Sequence, residues 1–336
     1  MIPAFACLMQ AGGNDNTKMK IFHISDLHLD IKYKRSNYIK TRSLFEQITA
    51  EGFDHLIISG DISENADASS LGLGRNLLEK FGLLDRSKTT LIIGNHDIFG
   101  GVYFAEDVIN FPSKCIATDY HRKVEQFEYY FRETFQNIIA AKKNTFFPFV
   151  KEFDDFVLIG LNSIAKYSLM RNPMASNGTI SKEQISSAAK IIKHSSFNNK
   201  RRIVISHHHF SKHKIHAVRN TYALWRMIES QSIKLRKKKS IIKQLKALDV
   251  EMVLHGHKHC TQQYERKGIR FINAGSSVLG HRANEINIVE INVTPGGITS
   301  KFRKFHTDNI ISSSKKRRLP VQFNKRIHDP EEISLN

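Results

Sequence analysis

The chain has 336 residues, and 51 lysines and arginines against 32 aspartates and glutamates give it a formal net charge of +19. This length favours one α/β domain with insertions, and the charge predicts polyanionic partners such as nucleic acid, anionic lipid or phosphorylated substrates. Three cysteines without a CxxC pair exclude a disulfide framework and a cysteine zinc clip, which favours a reducing, cytoplasmic location. No apolar run approaches the ~18 residues that a transmembrane segment needs.

Both ends of the chain differ in composition from the middle. Residues 1–18 are predicted to be a disordered leader, because a short apolar start without a basic region runs into a polar stretch; alternatively, Met19 is the true start. Residues 312–336 are predicted to be a basic disordered tail. The domain between them, 19–311, contains an aromatic-rich insertion at about 99–150.

Five apolar runs are predicted to be strands that end in residues able to bind metal ions. The runs are Lys20–Ile24, His55–Ser59, Leu91–Ile93, Arg202–Ile205 and Met252–Leu254. The polar residues that follow them are Asp26 and His28, then Asp61, then Asn95, His96 and Asp97, then His207, and finally His257 and His259. Polar groups placed at strand ends can meet in a crevice, which is where α/β proteins bind ligands.

Helical segments connect the first three runs. Apolar residues recur at helical spacing over 38–51 and again between Leu71 and Phe81. This alternation of strands and helices predicts a parallel sheet with its ligands at the carboxyl edge. Asp26 and His28 are two residues apart, so their side chains would face the same way if extended geometry persists after the strand.

The second half of the chain begins with the aromatic-rich insertion. Its apolar residues fit one helical stripe that is expected to pack in the core: Val124, Phe127, Phe131, Phe135, Ile138 and Ile139. Phe156–Leu161 is predicted to be a strand, and a capping-box sequence at Ser181 to open a helix that runs through Ile192. The β-rich runs from Ile269 to Ile291 are predicted to be antiparallel strands that complete a sheet.

A basic segment, residues 212–246, separates His207 from His257 and contains Trp225 and a run of lysines. Such a segment is often only a solvated helix face. Alternatively it attracts nucleic acid or an anionic membrane surface, since both of its ends are tied to the predicted ligand positions.

The ordered set of ligand residues is more specific than any of its members, because a single Asp-x-His or Gly-Asp is usually a turn or a cap. The set resembles the calcineurin-like metallophosphoesterase family, whose D-x-H, G-D, G-N-H-[DE], H and G-H-x-H blocks occur in the same order between Asp26 and His259. The resemblance implies an α/β fold, a four-layer α/β/β/α sandwich with two mixed sheets.

The resemblance also implies a dinuclear metal site. One metal ion would be held by Asp26, His28, Asp61 and His259, and the other by Asp61, Asn95, His207 and His257. The run His207-His208-His209 departs from the family pattern, so the choice of ligand among these histidines stays open, with His207 preferred. Imidazole and oxygen ligands suit two divalent transition metal ions, Mn, Fe or Zn.

Chemistry at such a site would be phosphoester hydrolysis by a metal-bridging hydroxide. His96, which is not assigned to a metal, is suited to protonate the leaving oxygen, and Asp97 could orient its imidazole. The predicted substrate is a small phosphorylated molecule such as a cyclic nucleotide, cleaved by a phosphodiesterase or phosphatase. Alternatives are a nuclease or lipid-linked pyrophosphatase acting on a larger anion, and a non-catalytic scaffold with the same fold.

Overall fold

The computed structural model describes residues 18–102, 105–142, 145–193, 197–211, 234–279 and 284–307. Three regions discussed above lie outside these ranges: the predicted leader except for Lys18, the predicted tail, and Trp225. Within them, no helix combines the length and apolar character that a membrane span requires.

The described residues form strands and helices that alternate from β1 to α3, after which several helices or strands follow one another directly. The strands are β1 (Met19–Ile24), β2 (His55–Ile58), β3 (Thr89–Leu91), β4 (Ile139–Lys142), β5 (Thr145–Glu152), β6 (Phe156–Gly160), β7 (Arg201–Ile205), β8 (Val250–His255), β9 (Gln262–Arg266), β10 (Ile269–Asn273), β11 (Glu285–Thr294) and β12 (Gly297–His306). The helices are α1 (Arg35–Glu51), α2 (Ala68–Lys80), α3 (His96–Phe99), α4 (Ala105–Ala117), α5 (Tyr120–Tyr130), α6 (Lys182–Ile192) and α7 (Lys238–Lys246), with a 3-10 helix at Arg132–Phe135.

The strands are divided between two mixed sheets. A five-stranded sheet has the order β12-β11-β1-β2-β3, in which β1, β2 and β3 are parallel and β11 and β12 antiparallel. A seven-stranded sheet has the order β4-β5-β6-β7-β8-β10-β9, with β6, β7, β8 and β10 parallel. The predicted parallel arrangement of the first three strands is confirmed.

Alternating side chains of the seven-stranded sheet belong to two hydrophobic cores. Leu158 and Ile203 pack in the core shared with the five-stranded sheet and helices α1 and α2. Their neighbours Val157 and Val204 pack in a second core with α6 and α7. The layers are therefore helix, sheet, sheet and helix, which confirms the α/β/β/α sandwich.

One element boundary agrees with a local sequence signal. Ser181 caps α6, because its Oγ accepts a hydrogen bond from the Gln184 amide at 3.2 Å, as the capping-box sequence predicts. The third strand, in contrast, ends at Leu91 rather than Ile93. Ile92 and Ile93 are still fully buried, so their apolar character indicated burial correctly but did not indicate where the strand ends.

Two predictions for the second half were wrong. The apolar stripe from Val124 to Ile139 is not one helix: α5 ends at Tyr130, a 3-10 turn follows, and Ile139 begins β4 with 41% of its surface exposed. The β-rich runs after Ile269 do not complete one sheet, since β10 lies parallel to β8 in the seven-stranded sheet and β11 pairs with β1 in the other. Sheet membership depends on distant pairing partners that spacing does not reveal.

The region predicted to be an insertion, residues 99–150, contains α4, α5 and the two strands that extend the seven-stranded sheet at one edge. Phe127 and Phe131 of this region are fully buried in the shared core, as expected for packing residues.

Candidate metal centre

The carboxyl ends of parallel strands from both sheets meet at one edge of the molecule. Within the seven-stranded sheet, the Gly256 amide after β8 donates to the His207 carbonyl after β7 at 3.0 Å, and between the two sheets the Ser277 amide donates to the Ser25 carbonyl at 2.9 Å. The residues that follow β1, β2, β3, β7 and β8 are therefore held side by side. These are the positions that the sequence singled out.

Asp26, His28 and His259 form the first ligand group. The Nε2 atoms of His28 and His259 are 3.1 Å apart, and Asp26 Oδ1 lies 3.4 Å from His259 Nε2. Asp26 and His28 are buried, whereas 42% of the His259 side chain is exposed. The first group therefore opens to solvent on the His259 side.

His207 is at the centre of the second ligand group. Its Nε2 lies 3.2 Å from Asp61 Oδ2, 3.1 Å from Asn95 Oδ1 and 3.2 Å from His257 Nδ1. Asp61 Oδ2 is also 3.9 Å from the His28 Nε2 of the first group. Asp61 thus stands between the two groups, which places all seven predicted metal ligands in one cluster.

Hydrogen bonding shows that the cluster fits a cation. The Nδ1 of His207 lies 2.8 Å from the Ser59 carbonyl and donates to it, which points Nε2 at the oxygens of Asp61 and Asn95. Acceptors that converge in this way need a shared cation. Burial lowers the pKa of His207, but Asp61 outweighs burial and raises it to about 9, so without a metal ion Nε2 carries a proton that these oxygens accept, and a bound metal ion would take the place of that proton.

Four of the ten left-handed residues other than glycine in the described part of the chain are predicted ligands. Asp26, His28, Asp61 and His257 have φ angles of 54°, 46°, 51° and 68°, a left-handed conformation that is uncommon outside glycine. The extended geometry expected to align Asp26 with His28 therefore does not persist beyond β1. Their side chains converge through two left-handed residues instead, and the surrounding hydrogen bonds must hold this conformation.

Glycines in the ligand motifs make room for the ligands. A Cβ on Gly94 would overlap the Oδ1 and the backbone nitrogen of Asp61, and one on Gly256 would overlap the carboxylate of Asp26. Gly60 has φ of 99°, and a Cβ there would lie 2.5 Å from the His207 ring. A side chain at any of these positions would displace a ligand.

His96 lies at the rim of the cluster, with 25% of its side chain exposed. One of its ring nitrogens is within 4.8 Å of the ligand atoms of His28 and Asp61, and its amide donates to Asp61 Oδ1 at 2.8 Å. Its Nδ1 is 3.3 Å from the carbonyl of Glu64. The ring is therefore beside the predicted metal ligands and accessible from outside.

Glu64 was not identified from the sequence. Its buried carboxylate lies 2.7 Å from His28 Nδ1 and 3.6 Å from His96 Nδ1, so one side chain contacts both imidazoles. A carboxylate in this position fixes the tautomer of His28 and directs its Nε2 into the cluster. The only sequence signal was an acidic residue three positions after Asp61, a spacing that is also common in surface turns.

Asp97 has partners other than the predicted one. Its buried carboxylate accepts hydrogen bonds from the Gly94 amide at 2.8 Å, the Ser63 amide at 2.8 Å and the Ser63 hydroxyl at 2.9 Å, rather than from the His96 ring. Burial, followed by the nearby Asp61, raises the pKa of Asp97 to about 6. The expectation that Asp97 orients His96 is therefore corrected: Asp97 ties together the loops that carry Asp61 and Asn95.

The geometry separates the three consecutive histidines. Both ring nitrogens of His208 have partners, with Nδ1 2.9 Å from the Ser163 hydroxyl and Nε2 3.1 Å from the Ser176 carbonyl. The ring of His209 stacks on that of His257 with centroids 6.2 Å apart. Of the three, His207 has its Nε2 among the ligand oxygens, which favours it as the ligand.

Comparison with known proteins gives one family and several similar structures. The family model described as calcineurin-like phosphoesterase matches residues 19–261. No curated protein matches the chain. A dimetal phosphatase from Danio rerio has a TM-score of 0.51 and 11% identity, covering 84% of this chain and 98% of its own. The purple acid phosphatase PPD1 from yellow lupin (Lupinus luteus) has a TM-score of 0.54 and 10% identity, covering 86% and 52% respectively. At such low sequence identities, the two similarities show a common fold and nothing about activity.

Proposed function

Since the chain belongs to the calcineurin-like phosphoesterase family of dinuclear metal-dependent hydrolases, we propose that it cleaves a small phosphorylated molecule such as a cyclic nucleotide. The observation that carries this proposal is the pair of ligand groups joined by Asp61. A non-catalytic scaffold could lose ligands without consequence, but all seven predicted ligands are present and lie close together. The structure therefore favours catalysis over a scaffold.

The ligand groups indicate which residues would hold the two cations. Asp26, His28, Asp61 and His259 would hold one, and Asp61, Asn95, His207 and His257 the other. The nitrogen and oxygen ligands suit Mn, Fe or Zn. When bound, two divalent cations supply charge that stabilises the phosphoryl oxygens and a water of lowered pKa. Two carboxylates do not neutralise two divalent cations, so the site would remain attractive to a phosphate ester.

His96 would serve as the proton donor to the leaving oxygen. Its Nδ1 faces Glu64, which leaves Nε2 as the atom that can protonate a leaving group bound at the open side of the cluster. Burial and His96 are the two largest effects that lower the pKa of His28, so His28 favours its neutral, cation-binding form. Of the two histidines that contact Glu64, His96 would therefore donate a proton and His28 would bind a cation.

Replacing His96 by alanine should lower kcat by about 10²-fold for an alkyl phosphodiester and much less for bis-p-nitrophenyl phosphate, because only a basic leaving oxygen needs a proton. Steady-state kinetics on both esters would measure the difference. His306→Ala, at an exposed position on β12, is the matched control. Equal losses on the two esters would remove His96 from the role of proton donor.

The proposed substrate class can be tested with purified protein and a panel of phosphoesters. Cyclic nucleotides, nucleoside monophosphates, single-stranded DNA and a UDP-linked lipid differ in size and in the number of ester bonds at phosphorus. We expect the highest kcat/KM for a small ester. A preference for DNA or for the lipid would replace this proposal with the nuclease or the lipid-linked pyrophosphatase.

The case for a larger anion depends on the basic segment 212–246, of which the structure describes residues 234–246. Lys238 and Lys258 are close enough to His209 to lower its pKa, after the larger effect of burial. Positive charge therefore lies near the cluster, where it can raise the local concentration of nucleic acid or of a substrate on an anionic membrane.

Replacing Lys237 and Lys239 by glutamine should raise KM about twofold to fivefold at low salt and leave kcat nearly unchanged, because these exposed charges act on encounter. Lys238 is kept because its Nζ donates to the Ser211 carbonyl at 2.8 Å. The control changes Lys80 and Lys88 to glutamine, since both lie exposed at the opposite end of the strands. Unchanged KM and salt dependence on every substrate would reduce the segment to a solvated face.

A further inference from the structure

The four most exposed large apolar side chains of the described residues lie on two elements. Ile109 and Ile116 of α4 are 77% and 66% exposed, and Leu169 and Met170 are 62% and 95% exposed. The next most exposed large apolar residue is Leu279, at 44%. Such a concentration of exposed apolar side chains marks an interaction surface rather than ordinary surface composition.

The two elements are neighbours. The segment 162–167 leads from β6 to the turn that carries Leu169 and Met170, and it packs against the ends of α4 and α5. The Tyr120 hydroxyl donates to the Ile164 carbonyl at 2.9 Å, and Lys166 Nζ lies 2.9 Å from His121 Nε2. Burial and the Cys115 thiol of α4 raise the pKa of Tyr167, which places the start of the turn beside the C-terminal end of α4.

Both elements are held in place by other contacts, so their exposed side chains are not needed for folding. Helix α4 has a separate buried face, on which Phe111 and Cys115 are 6% and 2% exposed. The turn is closed by the Asn172 amide, which donates to the Ser168 carbonyl at 2.7 Å. Leu169 and Met170 are therefore presented at the tip of an ordered turn.

Positive charges flank the turn and the C-terminal end of α4, whereas the first turn of α4 carries Glu106 and Asp107. Lys166 and Arg171 flank the tip of the turn and are exposed, as is Lys114 in the last turn of α4. Asp119, the acidic residue between α4 and α5, caps α5 by accepting from the His121 and Arg122 amides. Proteins bind anionic membrane surfaces through this arrangement: apolar side chains enter the acyl region, and neighbouring cations contact the lipid headgroups.

The shape of the patch favours a lipid surface over a folded partner. Met170 is nearly fully exposed at a projecting tip, and a deformable bilayer can accommodate such a tip without a complementary cavity. We propose that the α4–turn patch, made of Ile109, Ile116, Leu169 and Met170 with Lys114, Lys166 and Arg171, binds the protein peripherally to anionic membranes. This binding does not depend on the proposed substrate.

Co-sedimentation of the full chain with sucrose-loaded vesicles tests the proposal. The parent protein is expected to bind vesicles of phosphatidylcholine with an equal part of phosphatidylglycerol, and to bind phosphatidylcholine alone at least about tenfold more weakly. Leu169→Ser with Met170→Ser should lower the partition coefficient on anionic vesicles about tenfold or more. Lys166→Gln with Arg171→Gln should weaken binding and flatten its salt dependence.

The control is Leu279→Ser with Phe302→Ser, which removes two apolar side chains that lie outside the patch and are 44% and 43% exposed. This control should bind like the parent. Thermal unfolding of each variant checks that its fold is retained. The proposal is overturned if the parent does not bind anionic vesicles, or if the Leu169/Met170 variant binds as well as the parent. It is equally overturned if sedimentation velocity shows a dimer that this variant dissociates, because the patch would then bind a second copy.

Discussion

Asp61→Asn is expected to lower kcat/KM for bis-p-nitrophenyl phosphate by about 10³-fold or more while the protein stays folded. The Oδ2 atom of Asp61 is 3.2 Å from His207 Nε2 and 3.9 Å from His28 Nε2, so one carboxylate serves both ligand groups. Asparagine keeps an oxygen that can accept from the His96 amide but lacks the negative charge that joins two cations.

Kinetics, metal content and thermal unfolding together distinguish this effect from misfolding. We expect the variant to bind fewer metal ions per chain than the parent protein. Asp119→Asn, which alters an exposed helix cap, serves as the control and should retain full activity and metal content. A folded Asp61→Asn variant with parental metal content and parental kcat/KM would contradict the assignment of Asp61 as the shared ligand.

Gly94→Ala should be nearly as damaging, although it removes no ligand. The added methyl group would overlap the Oδ1 and the backbone nitrogen of Asp61, and both loops are buried, so neither can move freely. We expect activity to fall by about 10²-fold or more and the free energy of unfolding to fall by about 1–3 kcal/mol, as in other overpacked interiors. Activity assays and denaturant titration would measure the two effects.

Gly72→Ala is the matched control for this substitution. A Cβ at Gly72 of α2 would lie 3.8 Å from the nearest atom, the Cε1 of Tyr130, which is ordinary contact. Because alanine is a better helix former than glycine, this control should raise stability by about 0.5–1 kcal/mol and leave activity unchanged. Parental activity in Gly94→Ala would show that Asp61 does not depend on the open space at Gly94.

Local patterns were sufficient to predict a parallel α/β sheet and the polar residues at its carboxyl edge, whereas the four-layer sandwich and the assignment of ligands to two metal ions came from the resemblance to a family. Apolar runs that end in Asp, Asn or His mark the carboxyl ends of parallel strands, and such ends share one edge of a sheet. His207 could be preferred over His208 because it is the first histidine after β7. The structure adds the reason: the ring of His208 is bonded on both sides.

Other features depended on contacts that sequence patterns do not encode. Adjacency in sequence suggested that Asp97 orients His96, whereas the chain turns so that Asp97 faces Ser63 and Gly94. Glu64 contacts His28 because a β-bridge between Leu29 and Ser63 holds the loops after β1 and β2 side by side. Left-handed backbone at the predicted ligand positions was also unforeseen, since residues other than glycine rarely adopt it.

Metal titration tests the central claim, a dinuclear phosphoesterase site, most directly. Protein stripped by a chelator would be titrated with Mn²⁺ while bound metal and hydrolysis of bis-p-nitrophenyl phosphate are followed together. The account predicts no hydrolysis in the stripped protein and full activity as the bound metal reaches two ions per chain, because Asp61 lies between the Asp26, His28 and His259 group and the His207 and His257 group. Parental activity in the stripped protein, or full activity with a single bound ion, would contradict it.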